Sequence, residues 1–256
     1  MFDFNWFSDP NAWAALATLT LLEVVLGIDN IAFLSILVDR LPPEKRRAGR
    51  IFGLALAMIT RLMLLATIKW MMGLNAVLFA IPVTPALWKL VPQAIDHHGL
   101  LPITGKGIIL LLGGLFLIWK ASKEIHHKLD EATPGRPPRH TTHFVAVLIQ
   151  IALIDIIFSI DSVITAVGMA DDLSVMALAV VISVGIMMVA AGFISDFISS
   201  HPSVKMLALA FLLLIGSALI AEGLHYQISK GYIYFAMAFS LGVELLNLKT
   251  RATQRS

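Results

Sequence analysis

Seven long apolar runs alternate with short polar breaks along the chain. They fall near residues 13–38, 51–73, 107–122, 143–168, 175–198, 204–224 and 231–248, the third and seventh being the shortest. A helix needs about 20 such residues to cross roughly 30 Å of hydrocarbon, so each run predicts a transmembrane helix. Residues 74–106 are also apolar, but Pro82, Pro85, Pro92 and Pro102 interrupt them. Proline removes a backbone hydrogen bond that lipid cannot replace, so this stretch is expected to be an external loop lying partly in the interface. Residues 126–142, HHKLDEATPGRPPRHTT, are polar and proline-rich and read as a cytoplasmic linker.

Composition points to the same class. Of 256 residues, 58% are hydrophobic and 14% charged, where a soluble domain would carry about a quarter charged. The expected fold is therefore an all-α integral membrane protein of about seven transmembrane helices. A net charge of +2, spread over loops, argues against a nucleic-acid partner. With no cysteine, disulfides and thiolate metal sites are excluded. The start, MFDFNWFSDPNAW, lacks a basic region and a small-residue cleavage site, so the first run is expected to be a true span.

Lysine and arginine set the expected orientation. Arg40, Lys45, Arg46, Arg47 and Arg50 follow the first run; Lys120, Lys123, Lys128, Arg136 and Arg139 follow the third; Lys249, Arg251 and Arg255 follow the seventh. The N-terminus has none, and GMADDLS after the fourth run is acidic. Alternate loops agree on an external N-terminus and a cytoplasmic C-terminus.

Four acids lie inside apolar runs, in two stretches: LLEVVLGIDNI at 21–31 and LIDIIFSIDSV at 153–163. Aligning Glu23 with Asp155 puts Gly27 on Ser159, Asp29 on Asp161 and Asn30 on Ser162. The third and sixth runs also rhyme, with Glu124 and His127 in KEIHH against Glu222 and His225 in AEGLH. Two three-helix repeats are expected, 13–125 and 143–225, joined by the linker 126–142 and followed by a seventh helix at 231–248. An odd number of crossings inverts the second repeat, a transporter architecture with its site at the midplane.

Each acid at a helix centre costs roughly 2.5–3.5 kcal/mol, which marks such groups as functional. The structural alternative is internal pairing, for which Arg61 in AMITRLML is an available counter-ion. Glu23, Asp29, Asp155 and Asp161, with the amide of Asn30 and the hydroxyl of Ser162, form a hard oxygen set. It suits Mn²⁺, Mg²⁺ or Ca²⁺ better than Cu⁺ or Zn²⁺. Four charges exceed what one divalent ion needs, so proton-coupled exchange follows as a hypothesis. Six residues on a straight helix are about 9 Å apart along the axis and about 120° off one face. Either the helices unwind near Gly27 and Ser159, or the acids of each pair have different roles.

EVVLGIDNIAFLSILVDRLP, GGLFLIWKASKEIHH, IDIIFSIDSVITAVGMA, HPSVKMLALAFLLLIG and SKGYIYFAMAFSLGVELLN together resemble the TerC family of integral membrane proteins over essentially the whole chain. The resemblance implies a seven-span bacterial inner-membrane protein associated with manganese efflux, with supplying metal to exported proteins and, historically, with tellurite resistance. The matching motif positions are Glu23, Asp29, Asn30, Asp155, Asp161 and Ser162. Mn²⁺ is thus the expected transported ion, and no permanently bound cofactor is expected.

Smaller signals add little. His97–His98 and His126–His127 are read as solvated loop histidines, Glu124 and Glu222 as candidates to line a gate, and Glu244 as an acid without a repeat partner. Trp6, Trp13, Trp70, Trp88 and Trp119 sit where interfacial anchors do. Three readings remain: a divalent-metal transporter, a metal-dependent intramembrane enzyme, and a partner that assembles with secretion machinery or exported metalloproteins. The duplicated motif favours the transporter. The expected partners are the lipid bilayer and a divalent metal ion.

Overall fold

The computed structural model describes residues 5–82, 100–131, 143–167, 172–226 and 228–253, and of Asn5, Asp29, Lys69, Met71, Glu131, Thr165, Val167, Ala252 and Thr253 the backbone only. After a short 3-10 turn at Asn5–Ser8 the chain runs α1 (Pro10–Val38), α2 (Pro43–Ala66), α3 (Ile68–Gly73), β1 (Val77–Pro82), β2 (Leu100–Thr104) and α4 (Gly105–Glu131). It continues through α5 (Phe144–Val167), α6 (Leu173–Ser200), α7 (Pro202–Gly223) and α8 (Lys230–Thr253). Proline opens α1, α2 and α7, at the one helical position where a missing N–H costs nothing. The Asp9 carboxylate caps α1 by accepting from the Asn11 amide at 2.9 Å.

Three expected boundaries move. α2 starts at Pro43 rather than near 51, so Lys45, Arg46, Arg47 and Arg50 ride on its first turns instead of a loop. α4 continues to Glu131, so the first residues of the expected linker are helical; residues 132–142 lie outside the described residues. Where a loop was expected at 74–106, β1 and β2 pair antiparallel, with Phe79 opposite Ile103 and Ile81 opposite Leu101. Both strands of a two-stranded ribbon are edges, where Pro82 and Pro102 are tolerated. Pro85 and Pro92 lie outside the described residues.

Six helices have the length and apolar composition to cross a membrane: α1, α2, α5, α6, α7 and α8. α4 is long enough, but its apolar stretch ends at Lys120, Lys123 and Glu124.

The chain divides into two compact units that cut across its sequence halves. The first comprises Met1–Leu74 and Arg139–Ser200, the second Asn75–Pro138 and His201–Ser256. In the first, α1 lies along α6 and α2 along α5. A Cβ added to Gly27 would meet Met187 Sδ at 2.2 Å, and Ser199 Oγ donates to Asp39 Oδ1 at 2.8 Å, so α1 and α6 run the same way. The rings of Phe52 and Phe144 are 6.3 Å apart and Thr60 bonds Asp155, so α2 and α5 are parallel too.

In the second unit α4 packs antiparallel on α7 along a glycine seam. A Cβ on Gly107 would lie 2.8 Å from the Gly223 carbonyl oxygen, and one on Gly114 2.6 Å from that of Gly216. Lipid supplies no hydrophobic drive between helices, so close backbone approach over small residues holds such a pair. Leu110, Leu117, Ala121, Leu209, Leu212 and Leu219 fill the flanks and are buried. α7 ends in a Schellman turn: the Tyr226 amide donates to the Ala221 carbonyl at 2.9 Å, with His225 in the left-handed region at φ 61°. The principal pairings, α1 with α6, α2 with α5 and α4 with α7, are unchanged when α1, α2, α4 are exchanged for α5, α6, α7.

Candidate cation site in the first unit

α1 is continuous through Gly27 and α5 through Ser159. Neither helix opens there, which leaves the version in which the two acids of each pair have different roles. The structure brings together the leading acid of each. Arg61, on the adjoining α2, lies between Glu23 and Asp155, and all three are buried, at 3%, 4% and 4% exposure. Arg61 Nη1 donates to Glu23 Oε2. Arg61 Nη2 and Nε donate to Asp155 Oδ1 at 2.9 and 3.2 Å. The counter-ion expected to serve one acid thus serves two, one from each motif.

Asp155 gathers further donors. Asn30 Nδ2 reaches its Oδ1 at 3.3 Å, while Thr60 Oγ1 and Ser159 Oγ reach its Oδ2 at 3.1 and 3.2 Å. A carboxylate offers about four lone-pair sites, so Asp155 is fully engaged. The spacing explains the assembly. Ser159 is one helical turn beyond Asp155 on the same face, and Thr60 precedes Arg61 on α2. Asn30 sits seven residues, about two turns, beyond Glu23 on one stripe of α1.

The other expected ligands stand apart from this cluster. Asp161 is buried at 7% and is not left unpaired, but it sits about 120° around α5 from Asp155. Ser162 Oγ donates to the Ser159 carbonyl at 3.4 Å. The side chain of Asp29 lies outside the described residues. Among the described residues no three histidine, aspartate or glutamate side chains converge as a metal would need. A cavity of about 20 Å³, room for a single water, borders Asn30, Arg61, Asp155 and Met187, with Leu34, Leu54 and Ile151 beyond.

Sequence reasoning left Thr60 and Ser159 out of the ligand set. A threonine beside the lone mid-span arginine and a serine at i+4 from an aspartate were the available signals. In the second unit Glu222 Oε1 pairs with Lys106 Nζ at 3.0 Å, whereas Glu124 is buried, so the two rhyming glutamates differ in environment. His126 is exposed, its Nε2 3.9 Å from Asp130 Oδ2; His97, His98 and Trp88 lie outside the described residues. Glu244 Oε1, on α8, has no hydrogen-bond partner among the described residues.

Membrane-crossing helices enclosing a buried, fully paired ionic cluster define a multi-pass integral membrane protein. Residues 8–256 match the Integral membrane protein TerC family, and the chain belongs to that family. It is 54% identical to the UPF0053 inner membrane protein YgdQ of Escherichia coli K12 over 96% of both chains. It is 51% identical to a UPF0053 protein of Haemophilus influenzae over 97% of this chain and 98% of that one. The UPF0053 protein YegH of Escherichia coli K12 is 42% identical over 95% of this chain but only 43% of its own length. No solved structure matches. The inner membrane is the compartment of such relatives and fits the helices seen here.

Proposed function

We infer that the protein is a carrier rather than an enzyme, and that it moves a divalent metal ion, Mn²⁺ foremost, out of the cytoplasm. The observation that carries this reading is the convergence of Glu23 and Asp155, one acid from each duplicated motif, with the side-chain amide of Asn30 and the hydroxyls of Thr60 and Ser159 at one buried point. Oxygen donors of this kind suit Mn²⁺, Mg²⁺ and Ca²⁺. The exchange-invariant helix pairing and the antiparallel seam of α4 and α7 support two inverted repeats, the arrangement in which substrate sites lie near the midplane. Asp29, Asp161 and Ser162 belong to the same reading as groups that line the route on other helix faces. The basic residues of Lys45–Arg50 and the α8 end support a cytoplasmic C-terminus.

Flux of Mn²⁺, Mg²⁺, Ca²⁺ and Zn²⁺ in proteoliposomes tests it, with wild type beside Asp155→Asn and Asp29→Asn/Asp161→Asn. Mn²⁺ flux lost in both variants is the expected result. Wild-type flux retained by Asp155→Asn would remove that carboxylate from the site, and no flux of any ion from folded wild type would end the carrier reading.

A further inference from the structure

We propose that Arg61 is a tethered competitor for the transported cation. Its guanidinium fills the seat between Glu23 and Asp155, and a metal ion loads only when it swings away. The proposal rests on the transport reading of the same site.

The bonding at Asp155 makes the argument. A hard divalent cation needs carboxylate lone pairs at about 2.0–2.6 Å. Arg61, Asn30, Thr60 and Ser159 already engage both Asp155 oxygens, and Arg61 alone takes its part of Oδ1 through two nitrogens. Glu23 Oε2 likewise accepts from Arg61. An incoming ion therefore finds both oxygens of Asp155 and Oε2 of Glu23 already taken, each at least in part by Arg61. Guanidinium and metal cannot both stay in contact with the same acids, because like charges at a buried site repel strongly. The 20 Å³ cavity beside Arg61 and Asp155 is far too small to hold a second, hydrated cation next to the first.

Geometry favours arginine for the task. Its planar fork spans two carboxylates on different helices at once, which a point-charge ammonium does not. It keeps the emptied acids Glu23 and Asp155 paired, so the cluster is never left as two bare buried charges. An ion that binds must supply the interaction Arg61 gives up, and its return helps to expel the ion. A purely structural arginine predicts the opposite of a competitor: removing it would weaken the site and everything bound there.

Mn²⁺ titration of protein in nanodiscs, followed by the signal of free Mn²⁺ in electron paramagnetic resonance, separates the two. If the seat is taken most of the time, apparent affinity is reduced by the free fraction, so Arg61→Gln should bind Mn²⁺ about tenfold tighter or more. The gain should vanish in Arg61→Gln/Asp155→Asn, and turnover of Arg61→Gln in proteoliposomes should fall. Unchanged or weaker binding by Arg61→Gln overturns the proposal. Should that variant not fold, Arg61→Lys is read in its place; tighter binding supports the competitor and unchanged affinity refutes it. Tighter binding in Arg61→Gln with no wild-type flux would sink the carrier reading while leaving the competitor intact. Wild-type flux with unchanged affinity would do the reverse.

Discussion

Asn30 of the first motif donates its amide to Asp155 of the second across 3.3 Å. The two stretches that look alike in sequence therefore touch in space, and they do so beside Arg61. A point where duplicated segments meet is also where a change on one side is felt on the other.

Asp155 is the most heavily bonded group in the cluster, so Asp155→Asn isolates its charge with little change of shape. The substitution leaves Arg61 short of its bidentate partner. Breaking a buried pair from one side costs about 3–5 kcal/mol, and here Glu23 still neutralises the guanidinium, so the lower end is expected. Thermal unfolding in nanodiscs should register the loss, and Asp155→Ala should lose more because Asn30 and Ser159 lose their acceptor too, while Thr60 keeps the Ala57 carbonyl.

Gly27 faces the flexible end of Met187 at a distance no Cβ could keep. A methionine thioether can move aside, so Gly27→Ala should be nearly silent. Gly27→Leu should lower stability by about 1–3 kcal/mol through overpacking. Met187→Ala in the Gly27→Leu background should return most of it. Rescue failing in the double variant would place the glycine's importance elsewhere than this contact.

The α4–α7 seam has no such give. At Gly114 an added Cβ meets the Gly216 carbonyl oxygen and the Ile220 backbone nitrogen, whereas at Gly185 of α6 it meets nothing within 4 Å. Gly114→Ala should therefore lower the melting temperature in detergent, by an amount equivalent to about 1–3 kcal/mol. Gly185→Ala should raise it slightly, since alanine is the better helix former by about 1 kcal/mol. Equal behaviour of the two variants would contradict the seam.

His225 pays for its left-handed backbone at the end of α7. A Cβ in that region costs roughly 1–2 kcal/mol, and its Nε2 has no hydrogen-bond partner among the described residues. His225→Gly is expected to stabilise the protein by about 1 kcal/mol in the same unfolding measurement. A loss of stability would mean that the imidazole's packing outweighs the strain.

The helices were legible in the sequence because lipid tolerates little else. Apolar length alone locates α1, α5, α6, α7 and α8 to within a few residues. α2 begins earlier than its apolar run because charged residues such as Lys45 and Arg46 make sound first turns outside hydrocarbon, and apolarity does not record that. The β1–β2 pairing was hidden by its prolines, which argue against a helix without saying what replaces it. Within the cluster, Glu23, Asn30 and Asp155 could be read from the repeat. That Arg61 bridges both acids could not, because it depends on α2 lying against α5, a contact between residues far apart in the chain. Thr60 and Ser159 were hidden for a related reason: a hydroxyl in a membrane helix usually bonds its own backbone, as Ser35 and Ser183 do here and as Thr60 also does to Ala57 while reaching Asp155.

The parallel pairing of α2 with α5 bears on how the protein is made. Arg61 leaves the ribosome well before Asp155, with α3, the strands and α4 in between. At about 5–20 residues per second, synthesis of that stretch takes on the order of ten seconds. Glu23, by contrast, is already in place when Arg61 arrives. The nascent α1–α2 hairpin can thus enter the bilayer as a neutral pair, with the arginine lent to its first partner until the second is translated.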